Sequence, residues 1–127
     1  MKFRGSLDRF RDLLYIEDAV EALIKSYDTE KTYNELYILS SGIRTSFGEL
    51  RSKVLLHSGN NDDYPTTFEE GTPGDMFGFH ADISKIKRDL DWEPKNSVDE
   101  GLKKYFDWIK KVPVEEDISP YHPFLIK

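Results

Sequence analysis

Arg11-Asp12-Leu13-Leu14-Tyr15-Ile16-Glu17-Asp18, running on into Ala19-Val20-Glu21-Ala22-Leu23-Ile24-Lys25, is the stretch on which the reading of this chain turns. Leu13 to Ile16 is bulky, apolar and too short for a helix of its own, which predicts a strand over Arg11–Ile16. Glu17 and Asp18 then put negative charge on a first helical turn, where exposed N–H groups favour it. Val20, Leu23, Ile24 and Tyr27 recur at i, i+3, i+4 and i+7, a single stripe that predicts a helix from about Glu17 to Tyr27 with that stripe in the core. A guanidinium and a carboxylate therefore stand where an extended segment turns directly into a helix.

Upstream, Met1 to Phe10 is polar around Gly5-Ser6 and reads as a loop. Downstream, Asp28-Thr29-Glu30-Lys31 is a polar break, and Glu35-Leu36-Tyr37-Ile38-Leu39 is a short β-rich run closed by Ser40-Ser41-Gly42. Ser46-Phe47-Gly48-Glu49 has the spacing of a capping box, opening a helix with Phe47, Leu50 and Val54 on one face. Thr66-Thr67-Phe68 reads as a short edge strand before the turn residues Gly71 to Asp75. Asp82 is the expected N-cap of a helix that turns Ile83, Ile86 and Leu90 inward and ends at Asp91-Trp92-Glu93-Pro94. A second capping box, Ser97 to Glu100, starts a last helix with Leu102, Tyr105, Phe106 and Ile109 as its stripe, stopped by Pro113. Residues 1–112 thus read as one domain, and 113–127 as a tail whose Ile118, Tyr121, Phe124 and Leu125 are spaced to lie along a surface. The expected fold class is α/β: a small helix-rich domain with four helices and a few short strands, its sheet too small for a whole nucleotide-binding fold.

Composition narrows the function. A net charge of −6 and a pI near 5.1 argue against nucleic acid or an anionic membrane as a general partner. An anionic ligand would then be met by a few local arginines. Without cysteine there is neither a disulfide frame nor a thiolate metal site, and His57, His80 and His122 share no ligand spacing. No segment has the length of a membrane span or the pattern of a leader peptide, so a cytoplasmic protein is the expectation.

Four pieces of the chain, in order, carry a resemblance: Arg11-Asp12 through Tyr15-Ile16-Glu17-Asp18; Tyr37 to Gly42 followed by Thr45 to Leu50; Pro73-Gly74-Asp75 followed by Ala81 to Lys85 and Leu90 to Pro94; and Ser97 to Leu102 with the Trp108 helix. Together they resemble the extended short-chain dehydrogenase/reductase family, the NAD-dependent epimerases and dehydratases of nucleotide-linked sugars, over roughly residues 3–111. The likeness is to the C-terminal, substrate-binding portion of that family, without the Rossmann half. The glycine fingerprint of the cofactor half is missing: Gly71, Gly74 and Gly78 follow no long apolar strand, contain Pro73 and lead into Phe79-His80. Tyr27-Asp28-Thr29-Glu30-Lys31 has the spacing of the family's catalytic Tyr-x-x-x-Lys, but Tyr27 belongs to the core stripe and the family's pair precedes the Arg-Asp motif.

The resemblance implies a nucleotide-sugar ligand, with Arg11 on its diphosphate through parallel hydrogen bonds that only a planar guanidinium can make. The competing reading of Arg11 is an ion pair with Asp12 or Asp18. Asp18, Asp75 and Asp82 read as structural, in helix heads and turns. Thr72 stands where many relatives carry a second phosphate-binding arginine, and offers one neutral hydrogen bond. Phe79 stands where some carry a tyrosine facing the nucleotide, and can pack against a ring without donating. NAD is implied for a parent enzyme and not for this chain, which alone is expected to catalyse nothing and to hold no metal. The resemblance further implies that the first strand would lie against the absent half, so some of Leu13, Leu14, Tyr15, Leu36 and Ile38 are expected to meet water and to favour a homodimer or segments exchanged between chains. The alternative function is a non-catalytic binding or assembly domain that has kept the fold and lost the pocket.

Overall fold

The computed structural model describes residues 1–112 and contains four helices and four three-residue strands: β1 (Lys2–Arg4), β2 (Phe10–Asp12), α1 (Ile16–Tyr27), β3 (Arg44–Ser46), α2 (Phe47–His57), β4 (Thr67–Glu69), α3 (Ser84–Leu90) and α4 (Val98–Ile109). The expectations for Pro113, Ile118, Tyr121, His122, Phe124 and Leu125 lie outside the described residues. A helix-rich α/β domain with small sheets is what the chain builds.

The strand of the Arg11 stretch begins and ends earlier than Arg11–Ile16. β2 pairs antiparallel with β3, Phe10 opposite Ser46, Arg11 opposite Thr45 and Asp12 opposite Arg44. The ladder stops there because the partner chain turns away: Gly42 adopts φ +72°, a left-handed conformation that glycine takes without penalty. Tyr15 is still extended, and α1 starts directly after it with no side-chain cap. The Met1–Phe10 segment is not all loop. β1 runs parallel to β4, with Phe3 opposite Phe68, and Glu69 accepts Lys2 Nζ at 2.7 Å and Arg4 Nε at 3.1 Å. A three-residue strand whose partner lies some 65 residues away leaves no local sequence signal.

Both capping boxes form. Ser46 Oγ accepts the Glu49 N–H at 3.1 Å while Glu49 Oε2 accepts the Ser46 N–H at 2.7 Å, and Ser97 and Glu100 repeat the arrangement on α4. The expected N-cap at Asp82 is corrected: Ile83 holds that position without a side-chain cap, and Asp82 accepts the Ser84 N–H at 2.8 Å in the turn just before α3. Ile83, Ile86 and Leu90 are buried as expected, with Ala22 and Trp92, and Leu14, Tyr37, Leu39 and Ala81 pack against them.

α1 sits on this core by the opposite face from the one its periodicity indicates. Asp18 and Ala22 are its buried residues, while Val20, Leu23, Ile24 and Tyr27 face solvent, Tyr27 at 83 % exposure. The expectation that the stripe is core is therefore corrected. Asp18 is drawn inward by backbone donors described below, and rotating the stripe inward would expel it. Glu35–Leu39 is corrected too: it forms no strand, and among the described residues its amides from Leu36 to Leu39 take part in no backbone ladder. Its alternation survives nonetheless, with Tyr37 and Leu39 against the core and Leu36 and Ile38 exposed. On α4, Leu102 and Phe106 are half-buried, whereas Tyr105 and Ile109 are exposed. No helix among the described residues is long and apolar enough to cross a membrane.

Candidate functional site

Asp12 organises the ground on which Arg11 stands. Its Oδ1 accepts the Ser41 N–H at 2.8 Å and the Ser41 hydroxyl at 2.5 Å, and its Oδ2 accepts the Gly42 and Ala81 N–H groups at 3.0 Å each. One carboxylate thus ties β2 to the turn before β3 and to the segment before α3. Burial pushes the carboxyl up, but the hydrogen bonds from Ala81, Ser41 and Ser40 outweigh it and hold it below its ordinary value. Six residues on, Asp18 does the same for another loop: it is 2 % exposed and accepts the N–H groups of Lys95 at 3.1 Å and Asn96 at 3.0 Å, with Asn96 Nδ2 at 2.9 Å. Its task is to hold this loop, rather than to cap its own helix.

With Asp12 committed to backbone, Arg11 pairs with neither Asp12 nor Asp18. Its Nη2 donates to Asp75 Oδ1 at 3.1 Å, and its Nη1 to the Phe10 carbonyl at 2.8 Å and the Met76 carbonyl at 3.4 Å. The guanidinium also lies 5.3 Å from the centre of the Phe47 ring. Asp75 is shared, its Oδ2 accepting Arg9 Nη1. Arg9 stands just ahead of β2, two residues before Arg11, and that spacing was the signal in the sequence that would have joined the two.

Asp75 is presented by a turn in which the Asp75 N–H donates to the Thr72 carbonyl at 3.1 Å. Thr72 therefore belongs to the turn that faces the two arginines, with its own side chain exposed. Beyond it the chain returns to β2, the Phe10 N–H donating to the Phe77 carbonyl at 3.3 Å. Gly78 seats against the Phe10 ring, which a Cβ there would meet at 2.5 Å. Phe10 also carries the Arg44 guanidinium, 3.7 Å from the ring centre. Phe79 is exposed and takes part in none of the ring contacts that join Phe10 to Phe77 and His80. Arg11 and the Thr72 turn are thus brought together, and Phe79 stands apart on the segment that follows.

The remaining sequence candidates resolve as structure. Gly71, Gly74 and Gly78 lead into no helix, the next one starting at Ser84, so these residues do not fit a dinucleotide pyrophosphate. Tyr27 ends α1 and Lys31 lies in a separate 3-10 turn, Glu30–Thr32, so the two are not one helical turn apart in a shared helix. Tyr27 is also no core residue, contrary to expectation. His57 closes α2 and meets Asp99 Oδ1 at 3.2 Å, where Lys53 Nζ also lies at 3.3 Å. Among the described residues no group of three or more metal-ligating side chains is assembled.

Three comparisons bear on this arrangement. The family described as GDP-mannose 4,6 dehydratase matches residues 1–105. Among curated proteins, the chain is 28% identical over 92 residues to the UDP-glucose 4-epimerase of Bacillus subtilis, covering 71% of this chain and 26% of that one. It is also 30% identical over 98 residues to an uncharacterized protein of Methanocaldococcus jannaschii, covering 75% and 28%. Among solved structures, UDP-glucose 4-epimerase of Thermotoga maritima with UDP-glucose superimposes with a TM-score of 0.79 at 27% identity, over 87% of this chain and 35% of that one. The UDP-glucuronic acid 4-epimerase of Bacillus cereus, in a variant bound to a fluorinated UDP-sugar and NAD, gives 0.77 at 26%, over 86% and 34%. The chain spans roughly a quarter to a third of the length of these relatives.

Proposed function

This chain belongs to the extended short-chain dehydrogenase/reductase family of sugar-nucleotide epimerases and dehydratases, and on that premise we propose that it forms the family's substrate-binding portion. Its ligand is a nucleotide sugar, whose diphosphate Arg11 holds through charge-assisted hydrogen bonds. The observation that carries this is the setting of Arg11: a guanidinium on the central residue of β2, fixed by two carbonyls and Asp75, half-buried, with Thr72 on the adjoining turn. Thr72 supplies a neutral hydrogen bond and Phe79 an apolar surface for the rest of the ligand. Hydride transfer and NAD binding belong to a nucleotide-binding half of the parent enzyme, in the cytoplasm, and no residue described here is assigned a part in the chemistry.

The test is calorimetric titration of the chain with UDP-glucose and GDP-mannose, with and without Arg11→Ala. Loss of a charge-assisted phosphate contact should cost about 1.5–3 kcal/mol, roughly tenfold to a hundredfold in affinity. Affinity within about twofold of the wild type would remove Arg11 from the ligand and leave it as the structural partner of Asp75.

A second reading, a non-catalytic assembly domain, draws on the outward apolar stripe of α1 and the exposed Leu36 and Ile38. On that reading a second copy of the chain covers this surface, and Arg11 serves only to hold the Asp75 turn. The same titration separates the two.

A further inference from the structure

We propose that Arg9 is a second anion-binding residue which, with Arg11, makes this site select a diphosphate over a monophosphate; the inference rests on the reading of Arg11 as a phosphate ligand. Two guanidiniums share the one carboxylate of Asp75. The cluster therefore keeps a net positive charge, on side chains only 16 % exposed for Arg9 and 23 % for Arg11. Half-buried excess charge is poorly solvated and favours an anion that can replace the missing water. Arg9 also has donors to offer: Nη1 donates to Asp75, while Nε and Nη2 donate to no partner among the described residues.

Its position is prepared by two glycines. A Cβ on Gly71 would come within 3.0 Å of Arg9 Nη2, and one on Gly5 within 3.3 Å of Arg9 Cζ. The guanidinium thus lies against two adjoining stretches of bare backbone, one of them immediately before Thr72. Thr72 brings no charge, and Arg9 reaches the same turn from β2's side of the site with one. Because both arginines are oriented through a single carboxylate, their forks are neighbours. Phosphoryl groups joined by one bridging oxygen can occupy both forks at once; a single phosphoryl group fills one.

The experiment uses the full 127-residue chain and two probe pairs, UDP against UMP and GDP against GMP, titrated at low ionic strength. The wild type is expected to prefer the diphosphate of the better-bound pair by about tenfold or more. Arg9→Gln should reduce that preference to about threefold or less while leaving monophosphate affinity nearly unchanged, whereas Arg11→Gln should weaken both. An undiminished preference in Arg9→Gln, with Arg11→Gln weakening both probes, overturns the role of Arg9 and leaves that of Arg11 standing. No effect of Arg11→Gln overturns the phosphate reading itself, and no saturable binding of any probe by the wild type overturns both. If Arg9→Gln does not fold, Arg9→Lys, which keeps the charge and loses the planar fork, carries the test. A preference cut by about threefold or more supports the proposal, and an unchanged one overturns it.

Discussion

At the scale of single residues, two aspartates tie segments distant in sequence to one another. Asp12 and Asp18 each accept backbone N–H groups from segments distant in sequence, and each such donor would be stranded without its carboxylate. Asp12→Ala should therefore destabilise the chain by about 2–3 kcal/mol, read from urea unfolding, since at least one buried donor is left unmade. Asp12 also gives the pH dependence a sign. A carboxyl held below its ordinary 3.8 contributes stability that is complete above the unfolded-state value and lost as pH falls through the lower folded-state value. Glu49, Glu69, Asp82, Asp89, Asp99 and Glu100 are shifted the same way, so the wild type should weaken steadily on acidification. The share belonging to Asp12 is the difference in acid slope between the wild type and Asp12→Asn. Equal slopes would mean that its hydrogen bonds do not favour the charged form.

At the scale of elements, the close approach of the Tyr15 segment to α4 depends on Gly101. A Cβ there would stand 2.9 Å from the Tyr15 ring, which Lys104 covers from 5.2 Å while pairing with Glu17 at 2.5 Å. Alanine is the better helix former by about 1 kcal/mol, but forcing a packed ring aside costs about 1–3 kcal/mol. Gly101→Ala is expected to lower the melting temperature despite its helix propensity. A rise would show that the Tyr15 ring yields freely and that the glycine serves no packing purpose. The two capping boxes were legible from Ser-x-x-Glu alone, because every atom involved lies within four residues. β1 was not, because its three residues become a strand only beside β4, and the edge-strand signal at Thr66-Thr67-Phe68 gave the second strand without naming its partner.

At the scale of the whole molecule, the notable feature is the apolar surface left outward. Ile16, Val20, Leu23, Ile24 and Tyr27 on α1 are all exposed, as are Leu36, at 83 %, and Ile38 on a segment without a ladder. Surfaces of this kind are uncommon on monomers, and unpaired extended backbone adds a second means of association. A net charge of −6 opposes it but is screened at moderate salt. The chain should self-associate at micromolar concentration by light scattering and bind a hydrophobic dye. Leu23→Glu combined with Ile24→Glu should yield a monomer with its unfolding midpoint nearly unchanged, because neither side chain is in the core. A wild-type monomer that binds no dye would show that the surface is already covered within the chain.

The sequence by itself determined that four helices form, where the two capping boxes start them, that Ile83, Ile86 and Leu90 face inward, and that the Arg11-Asp12 stretch leads from extended backbone into a helix. These are local properties, set by periodicity and by hydrogen bonds that close within a turn. Only the tertiary structure decided which face of α1 is buried, since an apolar stripe signals burial without naming the partner, and here Asp18 and Ala22 meet the core instead. It alone decided, too, that Arg9 and Arg11 converge on Asp75, a carboxylate more than sixty positions away, supplied by a turn whose place depends on how Asp12 binds Ala81. Side chains become neighbours through chain closure over such distances, and no pattern confined to one segment encodes the other side of that contact.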